Sequence, residues 1–234
     1  MTRVAKFYKA VETGKDGGGF VVRLDGKTVK TPARALLALP TSKLADAVAE
    51  EWRSQTDIVD PTAMPLTRFA YAAIDVAPTH RARLTEEILA YGKSDLLCYR
   101  ADAPAALIAR QNEAWNPLLD WAAGRFGARL RTGTGIAFVD QSAESQAAFA
   151  KAVQGRDDFA LVGLHSASSL TGSLVLGLAL TEGRLTAQEA FALSCLDEIF
   201  QAEAWGRDAE AAARAERLGA ELAAIERFLT LSHP

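Results

Sequence analysis

The sequence is poor in the residues that build metal centres and disulfide frameworks. Among 234 residues it has two cysteines, Cys98 and Cys195, and three histidines, His80, His165 and His233. The cysteines are far apart and outside a C-x-x-C spacing, and no histidine lies three or four residues from a ligand that would complete a metal set. The sequence therefore predicts no disulfide scaffold, no metal site and no cofactor, and it fits a reducing cytosol.

An excess of one charge and a long hydrophobic run are also absent. The 26 Lys and Arg residues nearly balance the 29 Asp and Glu residues, and the net charge is −3. A nucleic-acid partner is not expected, because binding several phosphates requires a clustered basic excess. The most apolar segment, residues 170–180, is far shorter than the roughly 20 residues that cross a bilayer, so no membrane insertion is expected. The first residues resemble neither a signal nor a transit peptide, and we expect the mature chain to begin with them.

The first forty residues have the pattern of short strands. Asp25-Gly26 lies between two runs that are predicted as short strands, residues 20–24 and 27–30, and a two-residue Asp-Gly link is typical of a type I′ hairpin. Two more strands are predicted at residues 7–11 and 36–39, with residues 13–19 as a mobile connection. The result is a small antiparallel sheet.

From Thr41 onward the hydrophobic period changes from two residues to about 3.6. Thr41 or Ser42 can cap a helix that carries Leu44, Val48 and Trp52 on one face. Further helices are predicted at residues 66–76, 80–91, 106–126, 146–153, 159–180 with an interruption near 166–169, 187–205 and 208–231, and residues 129–139 are predicted as a loop or one short strand. The fold class is therefore α+β: a small antiparallel β-rich N-terminal domain with a packed helix, residues 1–78, followed by a larger, mainly α-helical C-terminal domain, residues 79–234.

Motifs that carry catalysis are missing. Residues 163–168 lack the G-x-S-x-G spacing of a nucleophile elbow. The glycines at 17–19 and 133–135 lack the spacing of a phosphate-binding loop, so flexible turns are the better interpretation. Cys98 has apolar neighbours and is predicted to be a buried structural residue.

One polar cluster stands out near the C-terminus. Helical geometry places Asp197, Gln201 and Trp205 in a row at a spacing of four, with Glu198 beside them. Cys195 is expected on a different face, with Ile199, towards the core. The row is either a solvated helix face that ends at Gly206 or a recognition surface, since a tryptophan anchors partners and carboxylates pair with a partner's Arg or Lys.

The same cluster permits an enzymatic alternative. Asp197 with Glu198, or Glu198 with Glu203, could act as acid and base in a small-molecule-binding protein or enzyme. Adjacent residues on a helix point about 100° apart, however, and no cofactor motif accompanies them. Binding of a partner therefore ranks above catalysis.

Eight ordered pieces of the sequence resemble one protein family. They are R-x-x-K-F-Y-K at residues 3–9, L-D-G-K-T-V-K-T-P-A at 24–33, E-W-x-x-Q at 51–55, M-P-L-T at 64–67, S-D-L-L-C-Y-R-A at 94–101, W-N-P-L-L at 115–119, G-S-L at 172–174 and D-E-x-x-Q-x-E-x-W-G at 197–206. Together they resemble the assembly chaperones of the F-type ATP synthase of the Atp-twelve type, and they cover nearly the whole chain.

The resemblance implies a function and a partner. It implies a non-enzymatic, ATP-independent chaperone that binds the unassembled alpha subunit of the catalytic sector and prevents its aggregation until it pairs with beta. Members of the family work in the bacterial cytoplasm or the mitochondrial matrix and combine a small β-rich domain with a larger helical one. We expect a monomer.

The resemblance also implies a site. The family's important acidic position corresponds by pattern to Glu198, with Asp197 as the second choice. The expected partner-binding residues are Glu198, Asp197, Gln201 and Trp205. Trp52 is added to them, although its position on the face of Leu44 and Val48 favours a core role.

Overall fold

The computed structural model describes residues 3–206 and 208–233. These residues form two compact units. Unit 1 comprises the described residues of Met1–Arg81, Asp157–Gly163 and Arg227–Pro234, and unit 2 comprises Ala82–Arg156 and Leu164–Glu226. The predicted division of the chain into domains at residue 78 stays a prediction.

Strands lie mostly in unit 1 and helices run through both units. The strands are β1 (Val4–Ala5), β2 (Val11–Asp16), β3 (Gly19–Leu24), β4 (Lys27–Thr28), β5 (Ile58–Val59), β6 (Tyr99–Arg100) and β7 (Gly133–Thr134). The helices are α1 (Ser42–Arg53), α2 (Pro65–Tyr71), α3 (Ala77–Lys93), α4 (Ala105–Phe126), α5 (Ala143–Gln154), α6 (Asp158–Thr171), α7 (Leu174–Thr181), α8 (Ala187–Ser194), α9 (Leu196–Trp205) and α10 (Ala209–Ser232). The predicted α+β class is confirmed.

The main sheet is antiparallel, as predicted, in the order β2-β3-β4. Asp25 and Gly26 both have positive φ angles, 48° and 77°, as a type I′ hairpin requires. The prediction of the strand before β3 is wrong in position. β2 pairs with β3 from Val11↔Leu24 to Asp16↔Gly19, because the positive φ angles of Gly17 and Gly18 close the chain in two residues and no long connection is needed.

The ends of this sheet also differ from the prediction. Residues 7–10 lie outside the main ladder, and the backbone N–H groups of Lys9 and Ala10 donate to the Asp25 carboxylate instead. Residues 36–39 form single bridges, Lys30↔Leu36 and Phe20↔Leu39, rather than a fourth strand. β1 pairs with β5 in a separate two-stranded sheet.

Helix α1 confirms its predicted cap and face. The Thr41 hydroxyl oxygen accepts a hydrogen bond from the Leu44 N–H at 3.0 Å, which satisfies one of the free N–H groups of the first turn. Leu44, Val48 and Trp52 are all buried, and α1 contacts β2, β3 and α2. The helix therefore covers the sheet, as its 3.6-residue period predicts.

The predicted helix end before Pro78 is wrong. A π-helical turn, Ala72–Val76, leads directly into α3, and Pro78 lies in the first turn of α3, where proline is tolerated. The backbone departs from helical geometry at His80 instead, where φ is −122°. Gly92 does not stop α3, which ends at Lys93. A Cβ atom at Gly92 would lie 2.9 Å from the Leu174 side chain, so glycine permits this close packing.

Unit 2 breaks its helices at positions other than those predicted. α6 and α7 are separated at Gly172-Ser173, where the Ser173 hydroxyl caps α7 by accepting from the Leu176 N–H at 3.0 Å. The predicted interruption at 166–169 is wrong, because those residues are inside α6. α8 and α9 are separate helices divided at Cys195, where φ is −105° and ψ is 20°. Within residues 129–139, β7 forms the short strand and pairs in parallel with β6.

Candidate functional site

A groove of about 300 Å³ lies between α9 and the first turns of α10 in unit 2. We call it the α9–α10 groove. It is lined by Phe191, Cys195, Glu198, Ile199, Gln201, Ala202, Trp205, Gly206, Asp208, Ala211, Arg214, Ala215 and Leu218. Its walls are mostly apolar side chains, and charged groups stand at its border.

The helical period explains which residues form the groove. Cys195, Glu198, Ile199, Ala202 and Trp205 recur at intervals of three and four and thus share one face of α9. The expectation that Cys195 and Ile199 face the core is wrong: both are only half-buried and line the groove. The side chain that α9 buries fully is Leu196. The polar residues Glu198 and Gln201 and the apolar residues of α9 therefore line the same groove.

Trp205 is the most prominent side chain of the groove. It is 82% exposed, although an indole ring is among the largest apolar groups in proteins. It occupies the last position of α9, and Gly206 then ends the helix with φ 84° and ψ 169°. The predicted helix end at Gly206 is confirmed.

Glu198 stands at the border of the groove in a weak ion pair. Its carboxylate lies 3.8 Å from the Arg214 guanidinium of α10, and the two side chains are 61% and 74% exposed. Solvent screens such a pair, which contributes little to stability. Gln201 is also exposed and lines the same groove. Both side chains are free to take other partners.

Asp197 does not line the groove but anchors α9 to α4. Its carboxylate accepts a hydrogen bond of 2.8 Å from the side-chain amide of Gln111, which is fully buried. The side-chain oxygen of Gln111, Oε1, in turn accepts from the Ala101 N–H at 2.8 Å. Asp197 therefore contacts α4, whereas Glu198, Gln201 and Trp205 line the groove.

The carboxylates of α9 are not assembled as an acid–base pair. Glu203 forms a two-pronged ion pair with Arg110 at 2.7 and 3.0 Å, and the hydrogen bond from Arg110 lowers the pKa of Glu203. A general acid at neutral pH requires a raised pKa instead. Asp197, Glu198 and Glu203 each have a different partner, so the geometry gives no support to the enzymatic alternative.

Trp52 lies in unit 1 and is buried, with only 7% of its surface exposed. Its ring packs edge-on against Tyr8 at 5.6 Å, and the Tyr8 hydroxyl donates to the Trp52 carbonyl oxygen at 2.6 Å. Its indole N–H has no hydrogen-bond partner within the described residues. Trp52 belongs to the core of unit 1, and its contact with a partner stays a prediction.

The pieces of sequence that carry the family resemblance bond to one another inside each unit. In unit 2, Arg100 is the last residue of β6, and its guanidinium donates to the Leu97 and Gln111 carbonyl oxygens and to the Asn112 and Asn116 side chains, at 2.9 to 3.2 Å. The guanidinium also lies over the ring of Trp115 at 5.2 Å. Residues 94–101 and 115–119 therefore meet through one buried arginine.

Asp95 forms a second such link in unit 2. Its carboxylate is fully buried and accepts from the Leu97 N–H, the Ser173 hydroxyl and the Val175 N–H at 3.0, 2.7 and 3.0 Å. The carboxylate thus satisfies N–H groups at the beginning of α7. Burial outweighs these hydrogen bonds and raises the pKa of Asp95 to about 6. Cys98 beside it is fully buried, and burial raises the pKa of its thiol to about 12, so the predicted structural role of Cys98 is confirmed.

Glu51 plays the corresponding part in unit 1. Its buried carboxylate accepts from the Leu66 N–H, the Thr67 N–H and the Thr67 hydroxyl at 2.7, 2.8 and 2.7 Å, and so caps the first turn of α2. Burial raises the pKa of Glu51, and the hydrogen bonds from Thr67 oppose this rise. We call Glu51, Asp95 and Arg100, together with the groups that they hydrogen-bond, the polar frame.

Several groove residues were not found from the sequence. Phe191, Ile199, Leu218 and Arg214 lie in three different helices, and Arg110 and Gln111 hold α9 from a fourth. The available signal was the apolar spacing of Ala211, Ala215 and Leu218 in α10, which matches that of α9. The described residues contain no group of three His, Cys, Asp or Glu side chains that could hold a metal ion. Among the helices of residues 3–206 and 208–233, none has the length and apolarity of a bilayer span.

An open apolar groove with an exposed tryptophan is typical of proteins that bind other proteins. The model of the family described as ATP12 chaperone protein matches residues 5–123, just over half of the chain. The chain belongs to this family, the ATP12 chaperones of ATP synthase assembly.

Relatives and solved structures agree with this assignment. The chain is 24% identical over 213 residues to mitochondrial protein atp12 of Schizosaccharomyces pombe, covering 86% of this chain and 73% of the yeast protein. The crystal structure of Atp12 from Paracoccus denitrificans is 44% identical, has a TM-score of 0.93 and is covered to 98%, as is this chain. An aspartate-to-lysine mutant of the same bacterial protein is 43% identical, with a TM-score of 0.93 and 98% of both chains covered.

Proposed function

We propose that this chain is a non-enzymatic, ATP-independent chaperone that binds the unassembled alpha subunit of the F-type ATP synthase. The chain holds the alpha subunit soluble until the subunit pairs with beta. The partner-binding surface is the α9–α10 groove, with Trp205, Gln201 and Glu198 in contact with the client and Asp197 holding α9 in place. The chaperone acts as a monomer in the bacterial cytoplasm or, in a eukaryote, in the mitochondrial matrix.

The observation that carries this proposal is the exposure of Trp205 beside an apolar groove. An indole ring that is 82% exposed leaves a large apolar surface in water, which is unfavourable unless a partner covers it. Tryptophan is enriched among the residues that contribute most to protein–protein affinity. The apolar side chains of Phe191, Ile199 and Leu218 lie in the same groove and extend the surface available to a client.

The charges at the border of the groove favour a client segment with basic groups. Glu198 has only a weak partner in Arg214, at 3.8 Å, and a client's Arg or Lys can replace that partner at little cost. Asp208 lines the groove as a second carboxylate. Such border charges act mainly on partner selection and on the rate of association.

Masking of an assembly surface needs no chemical step. An unassembled subunit exposes the surface that its neighbour would cover, and such surface promotes aggregation. The alpha subunit is released when beta binds more tightly to an overlapping surface, so competition alone drives the exchange. The separate partners of Asp197, Glu198 and Glu203 support a site that binds rather than reacts.

Co-expression tests the proposal. The tagged chain is produced together with the F-type alpha subunit, and the soluble alpha subunit recovered on the tag is measured. We expect the wild type to recover alpha, and Trp205→Ala and Glu198→Lys to recover much less of it. Phe7→Ala is the matched control, because Phe7 is another exposed aromatic side chain, 68% exposed, but lies in unit 1.

Three outcomes would contradict the proposal. Wild-type chain that recovers no alpha subunit, with or without ATP, rejects the partner. Trp205→Ala and Glu198→Lys variants that recover alpha like the wild type reject the groove as the site. A larger mass in light scattering during gel filtration rejects the monomer, for which we expect the mass of one chain, 25.0 kDa.

A further inference from the structure

A second apolar element of unit 2 lies in the loop after β7. Ile136 is 101% exposed and Phe138 is 68% exposed, and Ala137 between them is exposed as well. We call residues 136–138 the apolar finger. Two large apolar side chains at the tip of one short loop form the kind of exposed surface that marks an interaction site.

The base of the finger is fixed by hydrogen bonds. The Gly135 N–H donates to the Arg100 carbonyl oxygen at 2.8 Å. The buried side chain of Gln141 closes the loop: its carbonyl oxygen accepts from the Arg131 N–H at 2.8 Å, and its amide donates to the Arg131 carbonyl oxygen at 2.9 Å. A loop held at both ends loses little further freedom on binding, so its apolar side chains contribute more of their burial to affinity.

The polar frame connects the finger to the groove helix. The backbone carbonyl oxygen of Arg100 accepts from the Gly135 N–H of the loop. The next residue, Ala101, donates its backbone N–H to the side chain of Gln111. Gln111 in turn donates to Asp197 of α9. One continuous set of hydrogen bonds therefore positions both exposed apolar elements of unit 2.

Arginines flank the finger and define the chemistry of its partner. Arg129 and Arg131 are exposed and precede the loop. The Arg131 guanidinium donates to the Asp140 carbonyl oxygen at 3.5 Å. Apolar side chains with exposed guanidinium groups beside them are complementary to an apolar depression bordered by carboxylates. The groove border, by contrast, carries Glu198 and Asp208.

We propose that the apolar finger is a second contact point for the same client, with Ile136 and Phe138 buried in an apolar, acid-bordered depression of the alpha subunit. This inference depends on the proposed function for the identity of the client. It assigns to unit 2 two contacts of opposite charge preference, the acid-bordered groove and the arginine-flanked finger, so that a client must match both.

A competition assay tests the finger directly. Fluorescently labelled wild-type chain in complex with the alpha subunit is displaced by unlabelled variants, and the concentration for half displacement is measured. Burial of one large apolar side chain corresponds to a change of affinity of roughly 10- to 100-fold, which is the weakening we expect for Phe138→Asp and for Ile136→Asp. Phe138→Leu should compete nearly as well as the wild type, because leucine restores an apolar side chain.

A matched control separates the finger from apolar exposure in general. Ile58 is 52% exposed in unit 1, and Ile58→Asp should compete like the wild type. Arg129→Glu should weaken competition by a smaller factor, about 2- to 10-fold, since a border charge contributes less than a buried anchor. Circular dichroism checks that each variant keeps its helix content.

The outcomes distinguish this inference from the proposed function. Wild-type chain that does not bind the alpha subunit overturns both. Wild-type binding that is lost in Trp205→Ala but unchanged in Phe138→Asp overturns the finger alone. Sedimentation with vesicles of anionic phospholipid tests a membrane as the partner: binding that Phe138→Asp abolishes would also overturn the inference, and no binding is expected.

Discussion

Asp95 and Glu198 are both carboxylates of unit 2, but their surroundings differ completely. Asp95 is fully buried and accepts three hydrogen bonds of 3.0 Å or less. Glu198 is 61% exposed and has one weak partner at 3.8 Å. Both lie in pieces of sequence that carry the family resemblance. The residues that carry the resemblance therefore have two different roles. Some, like Asp95, belong to the polar frame and stabilise the fold, and others, like Glu198, lie on a surface that is open to a partner.

The polar frame joins parts of the chain that are distant in sequence. Asp95 bonds to Ser173, and Glu51 bonds to Leu66 and Thr67. In each case a buried carboxylate satisfies N–H groups near the beginning of a helix. Removal of such a carboxylate leaves buried donors without an acceptor. Removal of Glu198 leaves no buried donor unsatisfied, because its partner Arg214 is exposed.

Replacement of Asp95 is expected to have the largest effect on stability. Asp95→Ala leaves the Leu97 N–H, the Ser173 hydroxyl and the Val175 N–H without their acceptor, and each unsatisfied buried group costs about 1–3 kcal/mol. We expect the free energy of unfolding to fall by roughly 3–5 kcal/mol, measured by urea denaturation at pH 7. Ser173→Ala is the comparison variant and should lose less, because it removes one of the three bonds to Asp95 together with the Ser173 cap of α7. A loss below 1 kcal/mol for Asp95→Ala would erase the distinction from Glu198.

Glu51 is expected to follow, as the corresponding group of unit 1. Glu51→Ala removes the acceptor of the Leu66 N–H, the Thr67 N–H and the Thr67 hydroxyl. Its pKa is raised by burial, so part of the gain is offset by the cost of burying the charge. The expected loss of unfolding free energy is about 2–4 kcal/mol, measured in the same denaturant series. Glu50→Ala is the control, since Glu50 is the exposed neighbour. Equal midpoints for the two variants would contradict the role of Glu51.

The pH dependence of stability distinguishes Asp95 from an exposed carboxylate. Its pKa is raised from 3.8 to about 6 in the folded state, so the folded protein holds this proton more tightly than the unfolded chain. The resulting stabilisation is fully present below pH 3.8 and is lost as the pH rises through about 6. Asp95→Asn cannot ionise. We therefore expect the wild-type minus Asp95→Asn difference in unfolding free energy to decrease by about 1–3 kcal/mol between pH 4 and pH 7. A difference that stays constant or increases would show that the pKa is not raised.

Gln111, which links the polar frame to α9, is expected to contribute less to the free energy of unfolding than Asp95 or Glu51. Gln111→Leu removes the acceptor of the Ala101 N–H and the donor to Asp197, while it keeps much of the side-chain volume. We expect a loss of about 1–3 kcal/mol in unfolding free energy. Hydrogen exchange should increase in α9 more than in α8, because α9 loses its buried link to α4 and keeps the exposed pair of Glu203 with Arg110. Asn112→Ala is the control, since it removes a single bond to Arg100. Equal increases of exchange in α8 and α9 would contradict the role of Gln111 in positioning α9.

Local signals in the sequence predicted the local structure well. The Asp25-Gly26 hairpin, the Thr41 cap and the buried face of α1 follow from turn chemistry and periodicity over a few residues. The breaks at Ser173 and Cys195 were not predicted at their places. Ser173 both caps α7 and donates to Asp95, 78 residues away, and such distant contacts leave no local pattern.

The candidate site was predicted in part for the same reason. The residues of α9 lie close together in the sequence, and a helical projection places Glu198 and Trp205 near each other. Their common groove with Arg214 and Leu218 depends on how α9 and α10 pack, which a projection of one helix does not give. Asp197 was the second choice after Glu198 from the sequence, and its bond to Gln111 sets it apart from the groove.

The smallest expected effect on stability is at Glu198. Glu198→Lys breaks an exposed 3.8 Å pair with Arg214 and leaves no buried donor unsatisfied. The unfolding free energy should therefore change by less than about 0.5 kcal/mol in urea. Glu216→Lys is the control for the change of charge, because Glu216 is an α10 residue outside the groove lining. Unfolding near the Asp95→Ala midpoint would make Glu198 part of the frame. Wild-type stability together with lost capture of the alpha subunit would place its function at the surface, because a carboxylate that the fold does not need is then needed only by the partner.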